Sequence, residues 1–186
     1  MPTHVALLRG INVGGRNKVA MSDLREVVAS LGHADVATYI QSGNVVFSAP
    51  DADTAAMATD LEQAIAKALG VRPAVVVISR DELRQVVRDN PFPDEPNPRY
   101  VHAVFFRDEP SPGVPGDVAA AERQAQERGG RDTAKLAGRV LFLHTPDGFG
   151  RSELAALLLG RSSSPVASGT ARNWATVSKL LALCES

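Results

Sequence analysis

The chain has 186 residues, a formal net charge of −1 and a hydrophobic fraction of 44%. That length suits one domain or two small ones, and that apolar content excludes a disordered chain. The near-neutral balance excludes the broad basic field of a whole-surface DNA binder and leaves room for a local basic patch.

Residues 4–9 form an apolar run that predicts a strand. A loop follows that packs Gly10, Gly14 and Gly15 among Asn12, Asn17, Arg9, Arg16 and Lys18. Such a loop between strand and helix offers backbone N–H groups and positive charge to an anion. Leu24, Val27, Val28 and Leu31 fall at helical spacing, with Ser22 as the expected N-cap and Gly32 just past the end. Residues 36–40 and 44–48 predict two strands joined by a turn at Ser42-Gly43. Met57, Leu61, Ala64, Ile65 and Ala68 make the next helical stripe, closed by Gly70, and residues 74–78 a short buried strand. The order over residues 4–78 is β-α-β-β-α-β, the split pattern of ferredoxin-like folds.

Ser79-Arg80-Asp81-Glu82 is a capping box that opens a helix carrying Leu83, Val86 and Val87, which must stop before Asn90-Pro91. Pro91, Pro93, Pro96 and Pro98 mark a stiff linker. A second series follows: a strand at 100–106, a helix at 117–127 ended by Gly129-Gly130, a hairpin of 131–137 and 139–144 around Gly138, and a helix at 152–159. A last helix is expected at 171–183, with Thr170 as its N-cap and Trp174, Val177 and Leu181 on one face. The expectation is an α+β protein of two ferredoxin-like subdomains with a C-terminal helix. Residues 1–90 form the first with a connecting helix, 91–99 the Pro-rich linker, and 100–186 the second.

Four segments are candidates for chemistry. The first is the glycine loop. Its Gly10 and Gly15 spacing imitates a P-loop, but Arg16-Asn17 stands where a Lys-Ser/Thr pair is needed for phosphate and Mg²⁺, so the Walker reading fails. The second is the hairpin turn, where Gln41, Ser42 and Asn44 place amide and hydroxyl groups suited to a planar polar partner. In the third, Ser152 is an N-cap and Arg151 stands just before that helix start. In the fourth, Thr170 as N-cap puts Arg172 and Asn173 in a first helical turn, where a cation opposes the helix dipole by a few tenths of a kcal/mol. Arginine at two helix starts suits an anion held jointly by free N–H groups and guanidinium. Each segment has a plainer explanation in turn geometry, capping or a solvated charge. His4, His33, His102 and His144 show no metal-ligand spacing, and with no cysteine cluster no metal site or cofactor is expected. The single Cys184 excludes an internal disulfide and is expected simply to pack. No basic leader with a long apolar run opens the sequence and no stretch of about 18 apolar residues crosses a membrane, so a cytoplasmic protein without membrane partners is expected.

Taken together, Leu8-Arg9-Gly10-Ile11-Asn12-Val13-Gly14-Gly15, Tyr39-Ile40-Gln41-Ser42-Gly43-Asn44-Val45-Val46-Phe47, Gly150-Arg151-Ser152 and Ala171-Arg172-Asn173-Trp174 resemble the bacterial domain-of-unknown-function 1697 family. The resemblance extends over nearly the whole chain. Each piece alone is weak and the combination is specific; Ala20 stands where the family usually has proline. It implies an α+β fold of two ferredoxin-like subdomains, brings no established activity, and raises the weight of the four segments as one shared site.

Three functions then compete. In the first, the protein binds an anionic or polar ligand (a nucleotide, phosphorylated metabolite or single-stranded nucleic acid) between the subdomains. Arg9, Asn12, Arg151 and Arg172 supply charge and hydrogen bonds, and Gly10, Gly14 and Gly15 let the backbone approach. An aromatic fraction of 5% gives no support to base stacking as in RNA recognition motifs. In the second, the same arginines clamp a phosphorylated or carboxylated substrate while His144 or Asp147 moves a proton. In the third, the segments are fold determinants and the function is an interface with another protein.

Overall fold

A computed structural model describes residues 1–50, 53–160, 164 and 166–186. The chain divides into two compact units, one of Met1–Gln85 with Ser178–Ser186 and one of Val86–Val177.

In the first unit the elements run β1 (His4–Arg9), α1 (Met21–Ser30), β2 (Ala34–Tyr39), β3 (Asn44–Ser48), α2 (Thr54–Leu69), β4 (Ala74–Ser79) and α3 (Arg80–Arg88). The antiparallel sheet has the order β2-β3-β1-β4. β1 lies in its interior, which explains why its sequence does not alternate: Val5, Ala6, Leu7 and Leu8 are all at most 2% exposed. One face, with Ala6, Leu8, Val45, Phe47, Val75 and Val77, packs against Leu24, Val27 and Val28 of α1 and Met57, Leu61 and Ile65 of α2. Each of the larger of these side chains contributes about 1.5–3 kcal/mol when fully buried.

Asp53 caps α2 by accepting the Ala55 N–H at 2.9 Å. The capping box at α3 is reciprocal: the Glu82 N–H donates to Ser79 Oγ at 3.1 Å and the Ser79 N–H to Glu82 Oε2 at 2.9 Å. The expected cap of α1 is displaced. The helix starts at Met21 behind Ala20, which caps nothing with its side chain, and the Ser22 hydroxyl turns to Asp23 Oδ1 at 3.1 Å. β2 begins earlier than expected and carries a register shift between Ala34 and Ala37, with Asp35 at φ 51°. A bulge of this kind keeps an edge strand from pairing with other chains.

The second unit repeats the order: β5 (Val101–Phe105), α4 (Val114–Glu127), β6 (Thr133–Ala137), β7 (Val140–His144), α5 (Glu153–Leu159) and β8 (Thr170–Asn173), with the antiparallel order β6-β7-β5-β8. Both sheets therefore have ferredoxin-like topology, and the class is α+β. α6 (Trp174–Cys184) closes the chain. Val104, Phe106, Leu141 and Leu143 pack against Val114, Val118 and Ala125 of α4 and Leu154, Ala155 and Leu158 of α5.

One expectation is corrected here. Residues 170–173 are a strand and not the first turn of the last helix: Thr170, Ala171, Arg172 and Asn173 pair with Phe105, Val104, Ala103 and His102 of β5. Four residues are too few to show a period of two, and the open edge of β5 decides their conformation. Thr170 is then no cap. That role falls to Asn173, whose Oδ1 accepts the Thr176 N–H at 2.9 Å, and Arg172 no longer opposes a helix dipole. Trp174 sits against Phe142, ring centroids 6.1 Å apart. Cys184 is fully buried and its thiol is pushed up to about 11, first by that burial.

His102 of β5 stacks on Phe149 at 4.1 Å, and burial lowers its imidazole to about 4. Folding therefore favours the neutral ring, and stability from this site is full above the ordinary histidine range and lost as pH falls from about 6.5 towards 4. Replacing His102 with Phe is expected to remove at most about 3 kcal/mol of acid sensitivity in that window, read from denaturant unfolding at pH 7 and pH 4.5.

Candidate functional site

The β1–α1 connection is built from left-handed backbone. Gly10, Asn12, Gly14, Gly15 and Asn17 have φ of 88°, 53°, 59°, 74° and 48°. Val13 to Arg16 is a tight turn, the Arg16 N–H donating to Val13 O at 3.0 Å, with both central residues at positive φ as in a type I′ turn. Asparagine tolerates this region better than other side-chain-bearing residues because its amide bonds locally.

Here the two amides fix the loop. Asn12 Nδ2 donates to Val19 O at 2.9 Å and to Gln41 O at 3.0 Å, and its Oδ1 accepts the Val19 N–H at 2.8 Å. Asn17 Nδ2 donates to Gly10 O at 2.8 Å. The bond to Gln41 ties the loop to the β2–β3 turn. That turn is seated on β1 as well: the Leu8 N–H donates to Gly43 O at 2.7 Å. A Cβ on Gly43, at φ 79°, would stand 2.7 Å from Leu8 Cβ, so only glycine fits. Asn44 is fully buried, and its Nδ2 donates to Tyr39 O at 3.1 Å and Ser42 Oγ at 2.9 Å.

The first two sequence segments thus meet in space, and the amides of Asn12, Asn17 and Asn44 hold the backbone. What faces solvent is Arg9, Arg16, Lys18 and the open glycines: an added Cβ on Gly10, Gly14 or Gly15 would meet nothing within 4 Å. Asn12, Gly15, Lys18, Val19, Ala20 and Gln41 line a cleft of about 380 Å³. Lys18 is the charged residue among those that line it, and no acidic residue precedes Asp23 in the sequence.

The other segments lie in the second unit. Arg151 is exposed and ends a single 3-10 turn, Phe149–Arg151. Ser152 is the expected cap, accepting the Ala155 N–H at 2.9 Å and donating to Asp132 Oδ2 at 2.7 Å, and it is buried. Arg172 is half-buried on β8 beside Ala103, donates to Ala171 O at 2.8 Å, and is lowered to about 10 by desolvation, which leaves it charged at neutral pH. Asn173 caps α6, as described. Asp147 is paired with Arg131, whose guanidinium holds its carboxyl below the usual range; a carboxylate so held accepts hydrogen bonds and gives up no proton.

His144 sits in a setting the sequence did not disclose. Its Nε2 lies 2.7 Å from Glu95 Oε2, Phe92 stacks on its ring at 5.1 Å, and the three border a cleft of about 330 Å³ with Pro91, Pro93 and Asp94. The Asn97 N–H donates to Glu95 Oε1 at 2.9 Å, and this bond, ahead of the one to His144, keeps the carboxyl below its ordinary range. A carboxylate so placed orients the imidazole. The pairing spans 49 residues, from a proline-rich stretch to a strand end, and no local motif signals it. Among the described residues no group of His, Cys, Asp and Glu is arranged to hold a metal ion, and no helix is long and apolar enough to cross a membrane.

A family model described as "Protein of unknown function (DUF1697)" matches residues 1–142, and the chain belongs to that family. The match takes in the glycine loop and the β2–β3 turn and ends before Arg151 and Arg172. A solved structure, described as conserved bacterial protein SP0830 from Streptococcus pneumoniae, is 23% identical and superposes with a TM-score of 0.74 over 100% of this chain and 99% of that one. That likeness is one of fold. No curated protein matches.

Asn12→Ala removes the three amide hydrogen bonds and leaves a Cβ in the left-handed region. The expected loss is about 2–4 kcal/mol in denaturant unfolding, of which Asn12→Gly recovers about 1 kcal/mol by relieving the backbone.

Proposed function

We propose that this member of the family binds an anionic ligand at the β1–α1 loop of its first unit. The observation that carries this reading is a division of labour within one short segment. Asn12 and Asn17 spend their amides holding a left-handed backbone, while Arg16 and Lys18 extend into solvent beside open Gly14 and Gly15. A loop held in advance does not have to be ordered by its ligand, which lowers the entropic cost of binding.

Gly10, Gly14 and Gly15 keep the approach clear, Lys18 supplies charge at the cleft, and Gln41 gives its outer wall an amide. Asn12, Asn17, Ser42 and Asn44 act one step back, by shaping the loop and turn. Nucleotides and phosphorylated metabolites carry the required charge. The cleft lines no aromatic ring, so recognition runs through the anionic group.

The test is calorimetric titration with pyrophosphate at low salt. Binding is expected, weakening as ionic strength rises, and the double variant Arg16→Ala/Lys18→Ala should bind about tenfold or more weakly, which is about 1.4 kcal/mol, while melting like the parent. Binding that survives the double variant unchanged, or no binding at any salt concentration, overturns the reading.

A further inference from the structure

Ile40 is the residue in the first unit that the fold explains least. It sits in the β2–β3 turn at φ 49° and is 52% exposed. A β-branched side chain in the left-handed region is disfavoured on steric grounds, and Asn or Gly would be the stable choice there. Exposing the same side chain to water adds a second cost. Across the Asn12-to-Gln41 hydrogen bond stands Val13, 67% exposed at the start of the Val13–Arg16 turn. Two exposed aliphatic side chains thus stand on the two loops that this hydrogen bond ties together.

The sequence that carries them holds charge of one sign. Residues 1–22 and 36–50 contain no Asp or Glu, whereas Arg9, Arg16 and Lys18 all lie between positions 9 and 18. A small phosphate compound would use the cations and leave both aliphatic tips wet. Nucleic acid would ask for aromatic platforms for its bases, and the tips offer none. A second copy of this chain would bring like charge against like. Strained or exposed residues of this kind point from the outlier to a function.

We infer that the two loop tips form a docking surface for an acidic polypeptide segment with an aliphatic anchor. Its carboxylates meet Arg16 and Lys18, and its apolar side chain packs between Val13 and Ile40. This rests on the anion-binding reading of the same loop and names the partner class.

The experiment is amide-resolved NMR titration of the full chain with three short synthetic peptides, one of Glu and Leu, one of Glu and Ser, one of Lys and Leu, with pyrophosphate, phosphatidylserine vesicles and oligo-dT run alongside. The Glu/Leu peptide should shift Val13, Ile40, Arg16 and Lys18 and bind about tenfold more tightly than the Glu/Ser peptide; the Lys/Leu peptide should not bind. Ile40→Asn should raise the melting temperature and abolish the preference for Leu, a pairing that a merely structural isoleucine would not produce. If pyrophosphate binds but the two acidic peptides bind alike, this inference falls and the anion site stands. If neither pyrophosphate nor any acidic peptide binds, both fall. Tighter binding to vesicles or oligo-dT than to the Glu/Leu peptide overturns the partner class, and a melting temperature lowered by Ile40→Asn overturns the argument from strain.

Discussion

The first unit's surface chemistry depends on one side-chain amide. Asn12 joins the β1–α1 loop to the start of α1 through Val19 and to the β2–β3 turn through Gln41, using both ends of its amide. Without that link two glycine-bearing loops would each carry their own conformational entropy, of order 1–2 kcal/mol per residue fixed. With it, the loop and the turn are joined, and the buried Asn44 and the close seat of Gly43 on Leu8 fix the turn on β1.

That constraint sorts the residues of the motif by direction. The amides of Asn12, Asn17 and Asn44 are bonded to the chain itself, Asn44 fully buried and Asn17 at the surface. The charged ends of Arg16 and Lys18 and the aliphatic Val13 and Ile40 lie on the exposed side. The proposed anion site and the aliphatic tips then stand on one scaffold, held by the amides of Asn12 and Asn17. The second unit shows the same economy. Ser152 and Asn173 act as helix caps, and the exposed Arg151 is what remains at the surface.

Much of the fold could be read from the residues. The apolar run of β1, the 3.6-residue stripe of Met57, Leu61 and Ile65, and the Ser79–Glu82 box are local signals, and each forms as expected. The failures are where a local signal was overruled. Ser22 looks like a cap, but the chain enters α1 two residues earlier, under the Asn12–Val19 pairing. Residues 170–173 look like a helix start, yet β5 has an unpaired edge that only the folded sheet reveals. At the candidate site, residue types were legible and roles were not. An asparagine that reads a ligand and one that holds a loop look alike in sequence, because both need only a short amide in a turn. The partnership of His144 with Glu95 is beyond sequence altogether, since neither residue stands in a recognisable spacing.

The measurement that bears most directly on this account is hydrogen exchange at the Val19 and Leu8 amides of the free protein. Both face a loop or a turn rather than a ladder partner: Val19 donates to Asn12 Oδ1 and Leu8 to Gly43 O. If the loop and the turn are held in advance of any ligand, both amides exchange slowly, with protection close to that of α2, and Val19 loses it in Asn12→Gly. If Val19 exchanges at the rate of an open loop in the unmodified protein, the loop is not preformed and Asn12 is not the constraint on which the site depends.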